Sequence, residues 1–190
     1  MTTIAYRNGV IAADSQTTVD TEAGGARYFK CIKLFRKIVK HASTHEEEVV
    51  LATAGESFSS LVFVDWYGSG KDAPEILVHG GADFTVLALT KDGLFEYDKW
   101  CRGEKIAEPF YAIGSGAKAA LGAMHAGVSA KRAVEIACMV DPYTRAPVTV
   151  WSLKKPKKQT RKPTTLREIT AAGDSGHGPV EGAGGAVRPG

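Results

Sequence analysis

Asn8-Gly9 stands between two short apolar runs, residues 3–6 and 10–13. The pair is a strong signal for a two-residue type I′ turn, because both central positions of that turn need positive φ. The chain therefore opens as an antiparallel hairpin. Residues 84–89 and 94–97, separated by a segment ending Lys91-Asp92-Gly93, predict a second hairpin. Two further β-prone stretches, near 31–35 and 49–53, flank the polar segment HASTHEEE, which reads as a solvated loop. Apolar residues at helical spacing (Phe58, Leu61, Val62, Val64, Trp66) predict a helix over 58–67. Residues 68–81, glycine-rich and containing Pro74, read as a loop. Gly114-Ser115-Gly116 closes a short strand and opens an alanine-rich helix that Gly127 is placed to cap. Ser129 suits the N-cap of a helix over 130–140, Pro142 stops it, and 147–153 forms a last strand. Strands grouped apart from helices argue for an α+β fold rather than a parallel α/β sheet.

A chain of 190 residues suits one domain with a real core. No apolar run approaches the roughly 18 residues needed to cross a bilayer, and the N-terminus lacks the basic-then-apolar pattern of a signal peptide. Three scattered cysteines do not make a disulfide framework, so a reducing, cytoplasmic setting is expected. The net charge of +3 is uneven: residues 154–190 carry eight Lys/Arg against three carboxylates, which leaves residues 1–153 net acidic. That segment, first basic and then glycine-rich, has too little apolar surface to fold and is expected to be a disordered, solubilising tail. Without interleaved aromatic residues for base stacking, nucleic acid is not its expected partner.

Thr2 directly succeeds the initiator Met, and its small side chain permits removal of Met1. A terminal threonine carries a hydroxyl nucleophile and an amine base in one residue, the amine having a reference pKa of about 7.7–8.0. Many chains begin Met-Thr, so this start acquires meaning only in company with motifs farther along the chain.

The segments TTIAYRNGVIAADSQTT, KCIKLFRK, TAGES, AIGSGAKAALGAMHAGVSAKRAV and DPYT, in this order, resemble the proteasome β-subunit family, and bacterial HslV-type peptidases in particular. The resemblance runs from Thr2 to about Leu153. It implies the four-layer αββα sandwich of N-terminal-nucleophile hydrolases. It also implies a threonine-type endopeptidase subunit of a self-compartmentalised bacterial protease, with Thr2 as the nucleophile. Carried over by position, Asp14 is the supporting carboxylate and Lys33 the cation beside the nucleophile, with Lys30 as its rival. Gly55 supplies an oxyanion-facing N–H. Ser115, Asp141 and Thr144 form a relay near the threonine amine, and Cys31 and Thr53 contact substrate. Two departures stand out. Arg145 replaces a glycine common after the hydroxyl residue, and the second of two long helices expected between Gly55 and Phe84 looks shortened or lost.

By the same resemblance the partners are peptide or unfolded protein, further copies in a stacked double ring, and a separate ATPase unfoldase. Neither GSGKD nor GSGAK has P-loop spacing, so the chain is not expected to bind ATP. No cofactor or metal is expected. His41 and His45 lie beside three glutamates but read as part of the solvated loop. Two other readings stay open: a non-peptide amidase on the same fold, and a catalytically silent ring subunit.

Overall fold

The computed structural model describes residues 2–20, 26–40, 46–79 and 83–153. In chain order the strands before the first helix are β1 (Thr3–Arg7), β2 (Val10–Ala13), β3 (Gln16–Asp20), β4 (Ala26–Lys30), β5 (Leu34–Lys40) and β6 (Glu46–Gly55). Helices α1 (Ser57–Trp66) and α2 (Glu75–His79) come next, then β7 (Phe84–Thr90), β8 (Gly93–Tyr97), β9 (Gly103–Ile106) and β10 (Phe110–Gly114). Helices α3 (Ala117–His125) and α4 (Ala130–Val140) lead to β11 (Thr149–Ser152).

One antiparallel sheet has the order β10-β1-β2-β11 and another the order β5-β6-β7-β8-β9. Strand alternation sorts the side chains into layers. From the first sheet, Ile4, Ile11 and Ile113 meet Val50, Ala52, Leu87 and Leu89 of the second. The opposite face of the first sheet presents Ala5, Ala12 and Ala112 to α3 and α4. Small residues there let the helices lie close to the strands. On the far side of the second sheet, Leu51, Val86 and Ala88 pack under Phe63, Val64 and Leu77 of α1 and α2. The result is a four-layer αββα sandwich.

Local chemistry sets the ends of these elements. Asn8 and Gly9 have φ of 50° and 79°, as the type I′ turn requires. Ser129 accepts a hydrogen bond from the Arg132 amide and caps α4. At the C-terminus of α3, Gly127 has φ of 93°, and the Arg7 guanidinium donates to the carbonyls of Met124 and Val128 at 2.6 and 2.9 Å.

Several segments differ from expectation. β3 and β4 form a separate two-stranded ribbon that the sequence pattern hid, since Val19, Tyr28 and Phe29 remain about half exposed. The strand expected from residue 31 begins at Leu34, because the Cys31 amide donates to the Ser15 carbonyl instead of to β6. Glu46–Glu48, read as loop, lie in β6 opposite Ile38–Lys40, and within 68–81 the second helix survives as the five-residue α2. His41 and His45, and the tail 154–190, lie outside the described residues. No described helix is long and apolar enough to cross a membrane.

Candidate active site

Thr2 lies just before β1 and is 5% exposed. Its carbonyl accepts from the Ser115 amide at 2.8 Å, across the sheet from β10. Gly114, with φ of 94°, makes this approach possible, since a Cβ there would stand 1.8 Å from the Thr2 carbonyl oxygen.

Asp14 stands just past β2 and is held by four donors. Its Oδ1 accepts from the Thr3 amide at 2.9 Å and from Lys33 Nζ at 2.7 Å. Its Oδ2 accepts from the amides of Gln16 at 2.9 Å and Arg145 at 3.2 Å. Lys33 Nζ also donates to the Gln16 carbonyl at 2.6 Å. A charge pair this deeply buried is sustainable only when the remaining lone pairs and protons are satisfied in this way.

On the other side of Thr2, Asp141 Oδ2 accepts from the Ser115 hydroxyl at 2.7 Å and the Thr144 hydroxyl at 2.5 Å. Burial alone would push the Asp141 carboxyl up. The hydrogen bonds from Ser115, Thr144 and the Tyr143 amide outweigh it and hold the group below its ordinary value.

Thr2, Cys31, Lys33, Thr53 and Gly55 line one cleft of about 130 Å³, roofed by Ser57, Ser60 and Leu61 of α1. The Thr17 hydroxyl donates to Cys31 Sγ at 2.6 Å within it. Amides along β6 alternate in direction: Thr53 donates to the Lys33 carbonyl, on the β5 side, and Glu56 to Asp83, on the β7 side. The Gly55 N–H therefore points to the β5 side, where β5 has already ended and the cleft lies.

Lys33, Gly55, Cys31 and Thr53 thus share the cleft with Thr2, and Ser115 bonds the Thr2 carbonyl. Asp14 and Thr144 meet Thr3, and Asp141 joins Ser115 to Thr144. Lys30 is not among them; it is exposed on β4, opposite Gln16. At the departure noted at position 145, the backbone amide of Arg145 donates to Asp14 while its guanidinium stands over the Tyr28 ring. Sequence reasoning missed Gln16 and Thr3. Thr3 is fully buried, with its hydroxyl 2.5 Å from that of Thr144 and accepting from the Gly116 amide at 3.0 Å. A signal existed: Thr3 occupies the same face of β1 as Ala5, where a strand packed under helices otherwise carries apolar residues.

Among solved structures, the protein named BPH from Thiobacillus denitrificans, in complex with epoxomicin, superposes with a TM-score of 0.55 at 19% identity, covering 82% of this chain and 99% of that one. Eukaryotic HslV from Trypanosoma brucei superposes with a TM-score of 0.54 at 16% identity, covering 80% of this chain and 99% of its own. The chain has the HslV fold. A second structure of Thiobacillus denitrificans BPH gives 0.52 at 20% identity, covering 82% and 98%. No family model matches the sequence, and no curated protein does. The Thr2 cleft lies where the first strand of this fold begins.

Proposed function

We propose that the chain is an N-terminal threonine peptidase, with Thr2 as its nucleophile once Met1 is removed. The observation that carries this reading is that Lys33, ion-paired with Asp14, lines the cleft that holds Thr2, while Ser115, bonded to the Thr2 carbonyl, donates to Asp141. Thr2 Oγ attacks the carbonyl carbon of a peptide bond while its proton passes, through a water, to the Thr2 amine. Lys33 keeps positive charge beside the developing alkoxide, and Asp14 fixes the ammonium. The Gly55 N–H donates to the oxyanion, a contribution worth about 2.7–4 kcal/mol where such donors have been removed. Collapse of the tetrahedral species passes the proton to the leaving amine and forms an ester on Thr2 Oγ. Water, deprotonated by the same amine, then hydrolyses the ester.

The HslV fold of the neighbours supports a further step in the proposal, that copies of this chain assemble into rings enclosing the clefts. A polypeptide would then have to be unfolded by a separate ATPase. The test begins with the N-terminal mass of the purified protein, to show that Met1 is gone. Hydrolysis of a panel of fluorogenic peptides and of small N-acyl amides is then compared with that of Thr2→Ala. Peptide turnover abolished by Thr2→Ala supports the reading, and undiminished turnover sinks it. Turnover of the amides alone would favour a non-peptide amidase.

A further inference from the structure

Thr3, the residue after the nucleophile, touches both halves of the site. Its backbone N–H donates to Asp14 Oδ1 at 2.9 Å, and its carbonyl accepts from the Asp14 amide at 3.1 Å. Its hydroxyl lies within hydrogen-bond reach of the Thr144 hydroxyl. Proton counting sets the direction of that bond. An ionised carboxylate donates nothing, so at 2.5 Å from Asp141 Oδ2 the single hydroxyl hydrogen of Thr144 points to Asp141. Between the two threonines, therefore, Thr3 is the donor. The Gly116 amide in turn donates to Thr3 Oγ1. The low value at which Asp141 is held agrees with an ionised terminus to this chain of donors.

We infer that the Thr3 hydroxyl is a positioning group for the reaction: it relays a one-way chain of hydrogen bonds, Gly116 N–H to Thr3 to Thr144 to Asp141, that fixes the amine-side carboxylate relative to the nucleophile. Each donor polarises the next, so the chain is stiffer than its members taken singly. It is also tightly boxed. A Cβ on Gly116 would stand 2.2 Å from Thr3 Oγ1 and 3.1 Å from both Thr144 Oγ1 and Ala137 Cβ. Because the peptide unit joining Thr2 to Thr3 is planar, fixing Thr3 from both sides restricts the orientation of Thr2. Thr3 touches no reacting atom and acts through Thr144 and Asp141.

This inference rests on the peptidase reading for its kinetic consequence but not for its geometry, and the experiment separates the two. Full-length protein with Met1 removed is prepared as wild type, Thr3→Val and Thr3→Ser. Val keeps the shape and loses the hydroxyl; Ser keeps the hydroxyl. Thr3→Val should lower kcat by about 10- to 100-fold, the scale of a small misplacement of reacting groups, with KM within about twofold. Thr3→Ser should stay within about fivefold of wild type. The Gly116 amide should exchange with solvent faster in Thr3→Val than in Thr3→Ser, whether or not any peptide is cleaved. Should Thr3→Val fail to fold, Thr144→Val carries the kinetic test with the same expected loss. Wild-type kcat in the folded valine variant, or a serine variant as impaired as valine, overturns the inference. A wild type that cleaves nothing sinks the peptidase reading instead, and the Gly116 exchange rates still decide the hydrogen-bond chain.

Discussion

Lys33 and Asp14 form an ion pair at 2.7 Å with side chains only 4% and 0% exposed. Lys30, three residues earlier, is exposed on β4 and lies outside the cleft. The two lysines therefore make opposite predictions.

Lys33→Ala should remove peptide hydrolysis nearly as completely as Thr2→Ala, because it takes the charge from the cleft that holds Thr2, the proposed nucleophile. It also strands Asp14 in a buried site, a loss of about 3–5 kcal/mol for a broken buried pair. Lys33→Arg should not rescue activity: a broad planar fork does not fit a slot that holds a compact ammonium between Asp14 and the Gln16 carbonyl. Lys30→Ala should remain within about twofold of wild type. All three are assayed on one fluorogenic peptide after their folding is confirmed. A dead Lys30 variant beside an active Lys33 variant would place the catalytic lysine elsewhere.

Gly55 has φ of 98°, and a Cβ there would stand 2.6 Å from the Asp83 carbonyl oxygen and 2.7 Å from Phe84 Cα. Those neighbours are backbone of β7 and the residue before it, so they cannot swing aside. Gly55→Ala should cost at least about 1–2 kcal/mol for the left-handed conformation alone. For a chain of this length that is roughly 2–8 °C in Tm. The strain also turns the N–H that points into the cleft, so kcat should fall by about 100-fold or more. A variant with wild-type Tm and kcat would remove Gly55 from the proposed oxyanion site.

The parts of the molecule legible in the sequence are those governed by local rules. Asn8-Gly9, Ser129 and Gly127 each mark a turn or cap through its own conformational preference, and each is found there. The roles proposed for Thr2, Asp14, Lys33 and Ser115 rest on family resemblance, because nothing local tells a buried Lys33 from an exposed Lys30. The ribbon β3–β4 escaped notice since its faces are half solvated and show no clean alternation. Thr3 escaped because its partners Gly116 and Thr144 are more than a hundred residues away in the chain. Only tertiary structure brings such donors to one carboxylate.

The proposed amine-side carboxylate gives the site a defined response to acid. Burial opposes ionisation of Asp141, but Ser115, Thr144 and the Tyr143 amide hold its pKa below the ordinary 3.8. A carboxyl lowered on folding contributes stability that is fully present above its unfolded value and is lost as pH falls through the folded value. Wild type should therefore keep this contribution down to about pH 4 and lose it only below. Ser115→Ala removes a hydroxyl donor and raises the folded pKa, so acid unfolding should begin at higher pH. Circular dichroism across an acid titration checks this. A variant that unfolds at the wild-type pH, or below it, contradicts the assigned hydrogen bonds.

Cys31 offers a test of which end of the substrate enters the cleft. It is half-buried in the cleft wall, where the Thr17 hydroxyl donates to its sulfur, and it lies on the irregular segment between β4 and β5. That segment tolerates a larger side chain better than a packed strand would, so Cys31→Phe should fold. The cleft measures about 130 Å³, and a phenyl ring added at its wall would narrow it. If the cleft receives the side chain on the acyl side of the scissile bond, peptides with a bulky residue there should lose kcat/KM by about 10-fold or more. Peptides with alanine at that position should be cleaved within about threefold of wild type, since a steric wall discriminates by size and leaves the chemistry alone. The comparison needs two fluorogenic peptides that differ at that one residue. An equal loss on both would mean that the ring disturbs Thr2 or Lys33 rather than a specificity pocket. No loss on either would mean that the acyl-side residue binds elsewhere.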